Sequence, residues 1–401
     1  MAPIPPKIRY ITLAIIIFAE LAGTSLWFFG NAAIAQIPES ALFETNQWYS
    51  MATIVPVGFM LGAIVFSVLM LSDRYQSSLV FMVSCILGGI ANLGLVVDWE
   101  MNWPYHASRL LAGFFLAGIY PVGIKIVTDW FDQKLPKMIG ILMGFLVIGL
   151  SIPHLIKDMT PEYSGKLFLT GISISAIVGG ILLYWCLPEA PFARLRSRYH
   201  YSEVKMLFKN HNFRSATVGY VGHFWELIAF WSFLPILLAT WSSFHAGANL
   251  NFNICCFGVF GLGGVATIGS GMVSQYLGSE RIAMFTLALS GFCCLLSPLM
   301  FLMPIYIFLP FLGFWGMMII ADSPQLIAIL AKLAPQNLRG TALTVVISIG
   351  LLITIISIRS ATFTSVWLGE NFRYLPLAIG PLTGTFFLYR LARKRLSIFR
   401  M

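Results

Sequence analysis

Stretches of about 20 mostly apolar residues recur along the whole chain, separated by short polar breaks, and this repetition restricts the fold more than any other feature. A helix needs about 20 such residues to cross the hydrocarbon core of a bilayer. Across the 401 residues, 58% are apolar and only 10% are charged, which is too few charges to give a soluble chain of this length a polar surface. We therefore expect an integral membrane protein without a large soluble domain.

The apolar stretches predict an all-α membrane protein with 12 transmembrane helices, numbered here as spans one to twelve. They cover residues 10–37, 47–71, 78–98, 104–130, 137–156, 166–187, 215–241, 249–277, 281–302, 305–331, 340–367 and 371–391. The first follows Lys7 and Arg9 as a signal peptide would, but it is longer than a signal's ~7 to 15 apolar residues and has no small-residue cleavage site. We expect it to remain as span one.

The basic residues lie mainly on one side of the predicted spans. With the N-terminus in the cytoplasm, 19 Lys and Arg residues fall in cytoplasmic segments, 3 in external loops and 3 inside spans. Because Lys and Arg accumulate on the cytoplasmic side, both termini are expected there, and the protein in the cytoplasmic (inner) membrane. The net charge of +9 then reflects topology and contact with anionic lipids, so no nucleic-acid partner is expected.

Signatures of metal, cofactor or enzyme chemistry are missing from the sequence. All six cysteines fall in apolar spans without the spacing of metal ligands, so we interpret them as small hydrophobic residues. No His-Glu metal motif, Ser-Lys pair or phosphate-cradling loop has usable spacing. The sequence predicts no disulfide, no metal, no cofactor and no enzymatic activity.

The longest polar interruption, residues 188–214, divides the predicted spans into six and six. It predicts a cytoplasmic linker between an N-terminal bundle, residues 1–187, and a C-terminal bundle, residues 215–401. Within the linker, residues 202–208 are either the start of an amphipathic helix on the membrane surface or part of a solvated basic tether.

The two halves share short sequence patterns. Span one contains Phe18-Ala19-Glu20-Leu21 and span seven contains Phe224-Trp225-Glu226-Leu227, with each Glu near the middle of its span. Span four contains Tyr120-Pro121, and span ten contains Ser323-Pro324. Parallel repeats of this kind are typical of transporters whose site lies between two bundles near the bilayer midplane.

The number of spans, the linker and the orientation resemble the major facilitator superfamily over essentially the whole chain. The family's loop between spans two and three carries an acidic-basic pair between glycines; here Asp73-Arg74 match, while Leu69 and Gln76 replace the glycines. The equivalent loop of the second half keeps Gly271, Gly278 and Arg281, with Gln275 in the acidic position. The resemblance implies that the matching residues, Asp73, Arg74, Gly271, Gly278 and Arg281, control the conformational change.

Two further patterns refine the resemblance. Arg109 followed by Gly113 is similar to the family's span-four signature, whereas span five has only a loose glycine row in place of the glycine-proline motif typical of antiporters. Residues 321–325 and 338–344 are similar to a little-characterised bacterial permease branch, which indicates no substrate. The resemblance implies two pseudo-symmetric six-helix bundles that transport a solute by alternating access.

Ionisable side chains inside membrane helices cost at least about 2.5 to 3.5 kcal/mol each on insertion scales, so each should face a cavity or a partner. Glu20, Thr24, Trp27 and Asn31 lie on one face of span one and are candidate substrate ligands. The alternative is a protonated Glu20 packed silently between helices.

Span seven and span ten carry the candidate proton-coupling residues. His223 and Glu226 are three residues apart and could exchange a proton, although they equally fit plain helix packing and are too few to bind a metal. Asp322 and Gln325 share a face beside Pro324, where a broken helix would expose backbone groups. We assign Asp322 to proton coupling and Gln325 to substrate binding.

The remaining intramembrane residues are basic or polar. Arg109, expected on one helical face with Tyr120, either binds an anionic substrate or bonds helix ends near the outer surface. Arg359 either faces a substrate or extends to the membrane interface. Lys125 is expected to form an ion pair with Asp129 unless Pro121 turns it inward, and His154 is expected at the interface.

These residues favour a monomeric secondary active transporter, coupled to protons as a symporter, that moves a small polar solute. The two arginines favour an organic anion, such as a carboxylate or a carboxylate siderophore, and the three acids favour protons as the coupling ion. The acids could instead bind an amphipathic cation, so an exporter of cationic drugs is the main alternative. A transporter-like receptor that moves no solute is another.

Overall fold

A computed structural model of the chain describes residues 6–34, 45–101, 103–131, 134–159, 165–187, 190–192, 205–245 and 250–398. Over these residues the backbone forms helices, turns and loops without a strand, which confirms the predicted all-α class. The helices are α1 (Pro6–Ile34), α2 (Thr45–Val68), α3 (Leu71–Arg74), α4 (Ser77–Leu93), α5 (Trp103–Leu116), α6 (Tyr120–Trp130), α7 (Leu135–Met159), α8 (Gly165–Cys186), α9 (His211–Phe244), α10 (Phe252–Leu277), α11 (Ser279–Met300), α12 (Ile305–Ala321), α13 (Ser323–Leu333), α14 (Arg339–Leu368) and α15 (Ile379–Ile398). In the linker, residues 205–207 are helical, while 193–204 lie outside the described residues.

Nine segments within the described ranges are long and apolar enough to cross a membrane. They are Tyr10–Trp27, Trp103–Trp130, Leu135–Leu155, Gly165–Cys186, His211–Phe244, Phe252–Leu277, Ser279–Met300, Ile305–Leu333 and Gln336–Leu368. The shorter apolar helices Ile54–Val68 and Ser77–Leu93 lie in predicted spans two and three, and α15 overlaps the C-terminal part of span twelve but begins eight residues later, at Ile379. Each predicted span thus contains helix, and length and composition support nine of them as crossings.

Exposed aromatic side chains mark the ends of these helices. Trp103, Tyr306 and Trp367 are 66%, 74% and 71% exposed at the predicted outer ends. Trp185 and Tyr276 are 77% and 88% exposed at the predicted inner ends. Trp and Tyr rings are typical of the boundary between lipid and water, so their positions agree with a bilayer around the helices.

Two predicted spans are each broken into two helices. Span four divides at residues 117–119 into α5 and α6, and span ten divides at Asp322 into α12 and α13. Both α6 and α13 have 11 residues and a proline in the first turn, where a missing N–H costs no helical hydrogen bond. The Tyr120-Pro121 and Ser323-Pro324 pairs therefore mark the breaks. Arg109 lies in α5 and Tyr120 begins α6, so the two residues belong to different helices. The expectation that they share one helical face, which assumed a continuous helix, is therefore not supported.

The helices pack into two compact units. The first comprises Met1–Gln133, Thr160–Val204 and Pro335–Ser348, and in it α1 packs against α8, α2 against α5, and α4 against α5 and α8. The second comprises Lys134–Met159, Lys205–Ala334 and Ile349–Met401, and in it α7 packs along α10, α9 along α15, and α10 against α12. These units differ from the predicted halves in the placement of 134–159 and 335–348, and the division of the sequence into halves stays a prediction.

Close glycine contacts explain why 134–159 packs within the second unit. A Cβ added to Gly140 of α7 would lie 2.9 Å from the Cα of Gly271 in α10, and one added to Gly144 would lie 2.7 Å from the carbonyl oxygen of Gly264. The two backbones approach closely because these residues have no side chain. Gly278 between α10 and α11 has a φ of 87°, a conformation that glycine adopts without strain.

Candidate functional site

Glu226 lies in the second unit, on α9, and its carboxylate accepts hydrogen bonds from two other helices. Trp315 of α12 donates its Nε1–H to Oε1 at 2.8 Å, and Cys294 of α11 donates its thiol to the same oxygen at 3.1 Å. Ser290 of α11 lies one turn before Cys294 and donates its hydroxyl to Oε2 at 2.8 Å. Each carboxylate oxygen therefore has a donor, which is the condition for burying an ionised carboxylate.

Glu20 lies in the first unit, on α1, and its surroundings are different. The side chain is fully buried, and among the described residues neither carboxylate oxygen has a hydrogen-bond partner. The carboxyl group occupies space that Gly123 of α6 leaves open, since a Cβ at that position would clash with it. Burying an unpaired charge is costly, so this site favours either a neutral carboxyl or a bound group that donates hydrogen bonds.

The other members of the predicted Glu20 face have different surroundings. Thr24 is buried and donates its hydroxyl to the backbone carbonyl of Glu20 at 2.7 Å. Trp27 is half-buried, with its ring centroid 6.1 Å from that of Phe59. Asn31 lies in α1, but its side chain is outside the described part of the chain.

A second buried acidic group lies at the break in span ten. Asp322 ends α12, and its Oδ1 lies 2.8 Å from Nδ1 of His223 on α9, with both side chains 1% exposed. Gln325 of α13 is buried and donates to Ser270 of α10 at 3.3 Å. Ser270 in turn donates to the carbonyl of Ala321 at 2.6 Å, which satisfies a backbone group near the break. This arrangement can hold a proton on an imidazole beside a carboxylate.

Asp73 lies on α3, between two predicted spans, and bonds the first turn of α14. Its carboxylate accepts the backbone N–H groups of Gly340 and Thr341 at 3.1 and 2.8 Å, and the Thr341 hydroxyl at 2.7 Å. These bonds place the carboxylate at a helix N-terminus, where a negative charge is favourable. Burial raises the pKa of Asp73, while the Lys125 charge and the bonds from Thr341 and Gly340 act in the opposite direction.

Lys125 forms the predicted ion pair with Asp129. The Nζ–Oδ2 distance is 2.8 Å, and the ammonium also donates to Ser77 at 2.8 Å and lies 3.9 Å from Oδ1 of Asp73. The side chain is 1% exposed, so the pair is buried as well as formed. Of the other predicted gating residues, Arg74 and Arg281 are exposed.

The two arginines proposed as anion ligands have different surroundings. Arg109 is fully buried and donates from Nη1 to the backbone carbonyl of Leu26 at 3.1 Å. Arg359 is exposed and lies on a stripe of α14 with Ile355, Ile356 and Phe363, which are 50%, 57% and 63% exposed. This stripe fits a lipid-facing surface and favours an arginine that extends to the interface. Tyr120 is half-buried at the start of α6.

His154, expected at the interface, is half-buried and stacks on Phe260 with ring centroids 5.4 Å apart. Within the described part of the chain, no three His, Cys, Asp or Glu side chains form a group that could bind a metal ion.

Sequence reasoning missed most of the partners of the buried acids. The donors to Glu226 are 64, 68 and 89 residues away in the sequence. Serine, cysteine and tryptophan are common inside membrane helices, so no local signal separates these three from their neighbours. Gly123 follows Pro121 at the break, but glycine alone does not indicate which side chain it accommodates.

Comparison with known proteins places the chain in a family. The sequence profile of the Major Facilitator Superfamily matches residues 13–358. No curated protein sequence is a significant match. Among solved structures, the outward conformation of FucP, a transporter of this superfamily, is similar with a TM-score of 0.76 and 12% identity, covering 95% of this chain and 98% of that chain. XylE, a proton:xylose symporter, is similar with a TM-score of 0.73 and 11% identity, covering 95% and 96%.

A variant of the E. coli fucose:proton symporter FucP is also similar, with a TM-score of 0.74 and 12% identity over 95% of this chain and 98% of that one. The helical fold, the apolar spans and the matching profile together define a multi-pass membrane transporter. The chain belongs to the Major Facilitator Superfamily. The family resemblance in the sequence is thereby confirmed.

Proposed function

We propose that the protein is a proton-coupled secondary transporter that carries a small polar solute across the cytoplasmic membrane by alternating access. One observation carries the proposal: Glu20, Glu226 and Asp322 are 0%, 1% and 1% exposed within helices of the predicted spans or at a break in one of them. Acidic side chains are expensive inside a membrane and are typical of proton relays.

The acids have separate roles in this proposal. Asp322 shares a proton with His223, whose imidazole lies 2.8 Å away. Glu226 takes up and releases the coupled proton. Glu20, which has no protein donor in the described structure, orients the solute together with Thr24, Trp27 and Asn31.

The first solutes to test are small organic anions, including carboxylates and carboxylate siderophores, with Arg109 and Tyr120 as further ligands. An anion would compete with the Leu26 carbonyl for Arg109, since that carbonyl accepts from Nη1 at 3.1 Å. A second candidate class is organic cations and amines. The unpartnered carboxyl of Glu20 favours this class, because an ammonium group would supply both a charge and donors.

The similar structures contribute one further solute class. FucP and XylE are proton symporters for fucose and xylose, but at 11% to 12% identity the likeness extends to the fold alone. Monosaccharides therefore belong in a ligand screen as a comparison class.

Ligand stabilisation followed by transport tests the function. The purified protein is screened by thermal unfolding against carboxylates, phosphates, amino acids, amines and monosaccharides, because a ligand that binds the folded state raises its stability. The best ligand is then supplied to proteoliposomes with and without a pH gradient. Uphill uptake that requires the gradient supports the proposal. Uptake that is the same with and without the pH gradient would contradict proton coupling. A ligand that binds but is not transported would indicate a receptor.

The proposed orientation has its own test. The inner membrane location and the cytoplasmic termini rest on the 19 basic residues in cytoplasmic segments against 3 in external loops. Single cysteines placed in the 188–214 linker and at the C-terminus, in a chain whose exposed Cys186 is replaced by serine, should react only from the cytoplasmic side. Labelling from outside would overturn the orientation. Light scattering of the purified protein tests the proposed monomer.

A further inference from the structure

The hydroxyl group of Ser290 lies within hydrogen-bond distance of two acceptors. One is Oε2 of Glu226, at 2.8 Å, and the other is the backbone carbonyl oxygen of Leu287 on the same helix, at 3.1 Å. Ser290 and Glu226 are 0% and 1% exposed, so water does not compete for either contact. A serine hydroxyl has one hydrogen and can turn, so it donates fully to only one of these acceptors at a time.

Oε1, the other oxygen of Glu226, accepts the indole N–H of Trp315 at 2.8 Å and the thiol of Cys294 at 3.1 Å. An indole nitrogen is a donor only and cannot accept a hydrogen bond from a protonated carboxyl, and a thiol sulfur is a weak acceptor. A proton on Oε1 would therefore meet an N–H donor and a weak acceptor, whereas a proton on Oε2 would meet a hydroxyl oxygen, which is a stronger acceptor.

We propose that Ser290 is a hydrogen-bond switch that lets Glu226 gain and lose a proton on Oε2 without leaving a buried polar group unpaired. In the ionised state Ser290 donates to Oε2. When a proton binds Oε2, the new O–H donates to the Ser290 oxygen, and the serine hydrogen turns to the Leu287 carbonyl. One proton is taken up, no other group changes its charge, and no heavy atom has to move.

This inference rests on the proposed proton coupling and deepens it, since it names the oxygen that carries the proton and the residue that positions it. Ser290 is a positioning residue, because it acts through Glu226. A carboxylate surrounded only by fixed N–H donors would lose a hydrogen bond on protonation, which is costly in a buried site. Glu20 lacks such a partner among the described residues and so lacks the switch.

Few other titratable groups surround Glu226. Cys293 and Cys294 lie on α11, and Asp322 lies at the end of α12 with His223 of α9 beside it. Tyr374 packs its ring 5.7 Å from Trp315 and donates its hydroxyl to the carbonyl of Phe233 at 3.0 Å. None of these groups takes the place of Ser290 at Oε2, so the switch can be tested by changing Ser290.

The test uses infrared difference spectra of the purified full-length protein as the pH is stepped, with the proton as the only ligand. The wild-type protein should show the carbonyl band of a protonated carboxyl that is missing from Glu226→Gln. Ser290→Ala should move this band to higher frequency, because the protonated carboxyl loses a hydrogen bond. Ser290→Thr retains a hydroxyl and should restore the wild-type position.

Ser297 provides the matched control. It lies on the same helix, is 2% exposed and donates its hydroxyl to the carbonyl of Cys294 at 2.8 Å rather than to Glu226. Ser297→Ala should leave the band unchanged. Cys294→Ser gives a second measurement if Ser290→Ala does not fold: a hydroxyl is a stronger donor than a thiol, so the band should move to lower frequency if Oε1 is the carbonyl oxygen.

Three outcomes would overturn the switch: a titrating band that persists in Glu226→Gln, a band that stays in place in Ser290→Ala, or one that does not respond to Cys294→Ser. The proposed function is tested separately by pH-driven uptake into proteoliposomes. A wild-type protein that concentrates solute with a pH gradient but shows no band from Glu226 would overturn the switch and leave proton coupling in place.

Discussion

Glu20 and Glu226 occupy matching positions in spans one and seven, yet the protein surrounds them in opposite ways. Glu226 receives hydrogen bonds from Trp315, Cys294 and Ser290 on two neighbouring helices. Glu20 is equally buried, packs against Gly123, and has no hydrogen-bond partner among the described residues. The same residue type at the same predicted depth therefore has hydrogen-bond donors in one unit and, among the described residues, none in the other.

The predicted depth of an acidic residue in the membrane therefore does not determine whether its carboxyl group has hydrogen-bond donors. A carboxylate with a donor at each oxygen is stabilised when ionised, and it can also take up a proton where one donor is a hydroxyl that can turn and accept, whereas one without donors is available to a solute.

Glu226→Gln should abolish uphill, pH-driven uptake and preserve exchange of solute between the two sides. An amide cannot release a proton, but it can keep the contacts, because its oxygen accepts from Trp315 and Cys294 while Ser290 accepts from its NH2 group. Glu20→Gln should instead weaken solute binding and exchange together. Counterflow and pH-driven uptake, measured on the same proteoliposomes, separate the two patterns. A Glu226→Gln protein that still concentrates solute would refute the assignment.

Asp73 is a third buried carboxylate, and like Glu226 it accepts hydrogen bonds from several donors. Asp73→Ala removes the bonds to Gly340 and Thr341 at the start of α14, which we propose stabilise the outward-open state. Transport should fall, while ligand affinity stays within about tenfold, or about 1.4 kcal/mol. Uptake rates and ligand-dependent thermal shifts measure the two effects. Unchanged transport would show that this contact has no part in the conformational cycle.

Alanine substitutions should separate Glu226 from Glu20 in stability. Glu226→Ala leaves the Trp315 N–H buried without an acceptor and should cost about 1 to 3 kcal/mol. Glu20→Ala removes a group without a described partner and should be near neutral or stabilising. Thermal unfolding of both variants in the same detergent measures the difference. Equal losses of stability would mean that Glu20 has gained a partner that offsets its burial.

Gly123→Ala should lower the stability only slightly, through contact of the added methyl group with Glu20. The added methyl group displaces the flexible end of the Glu20 side chain, at a cost of about 1 kcal/mol. In a Glu20→Ala background the same substitution should cost less, because the clash is gone. Thermal unfolding of the wild type, the two single variants and the double variant gives the interaction free energy between the two positions. Additive effects would show that the two groups do not touch; Gly171→Ala, where an added Cβ meets nothing within 4 Å, is the control.

The sequence by itself determined the features that depend on composition and on short spacings. Apolar stretches determined the helical membrane class, because bilayer thickness sets their length. The Lys125–Asp129 pair followed from a spacing of four residues, and a family pattern singled out Asp73 without indicating its partner. The paired prolines Pro121 and Pro324 pointed to equivalent positions, and both proved to lie at breaks, in the first turn of the second helix, where a missing N–H costs no helical hydrogen bond.

Only the tertiary structure decided which acids have partners. The donors to Glu226 come from residues 64 to 89 positions away, and the donors to Asp73 come from residues 267 and 268 positions away. Helical periodicity places a side chain on a face, but it does not say which neighbouring helix packs there or which of its atoms lies opposite. Hydrogen bonding depends on distances of about 3 Å, and helix packing sets those distances after the local rules have acted.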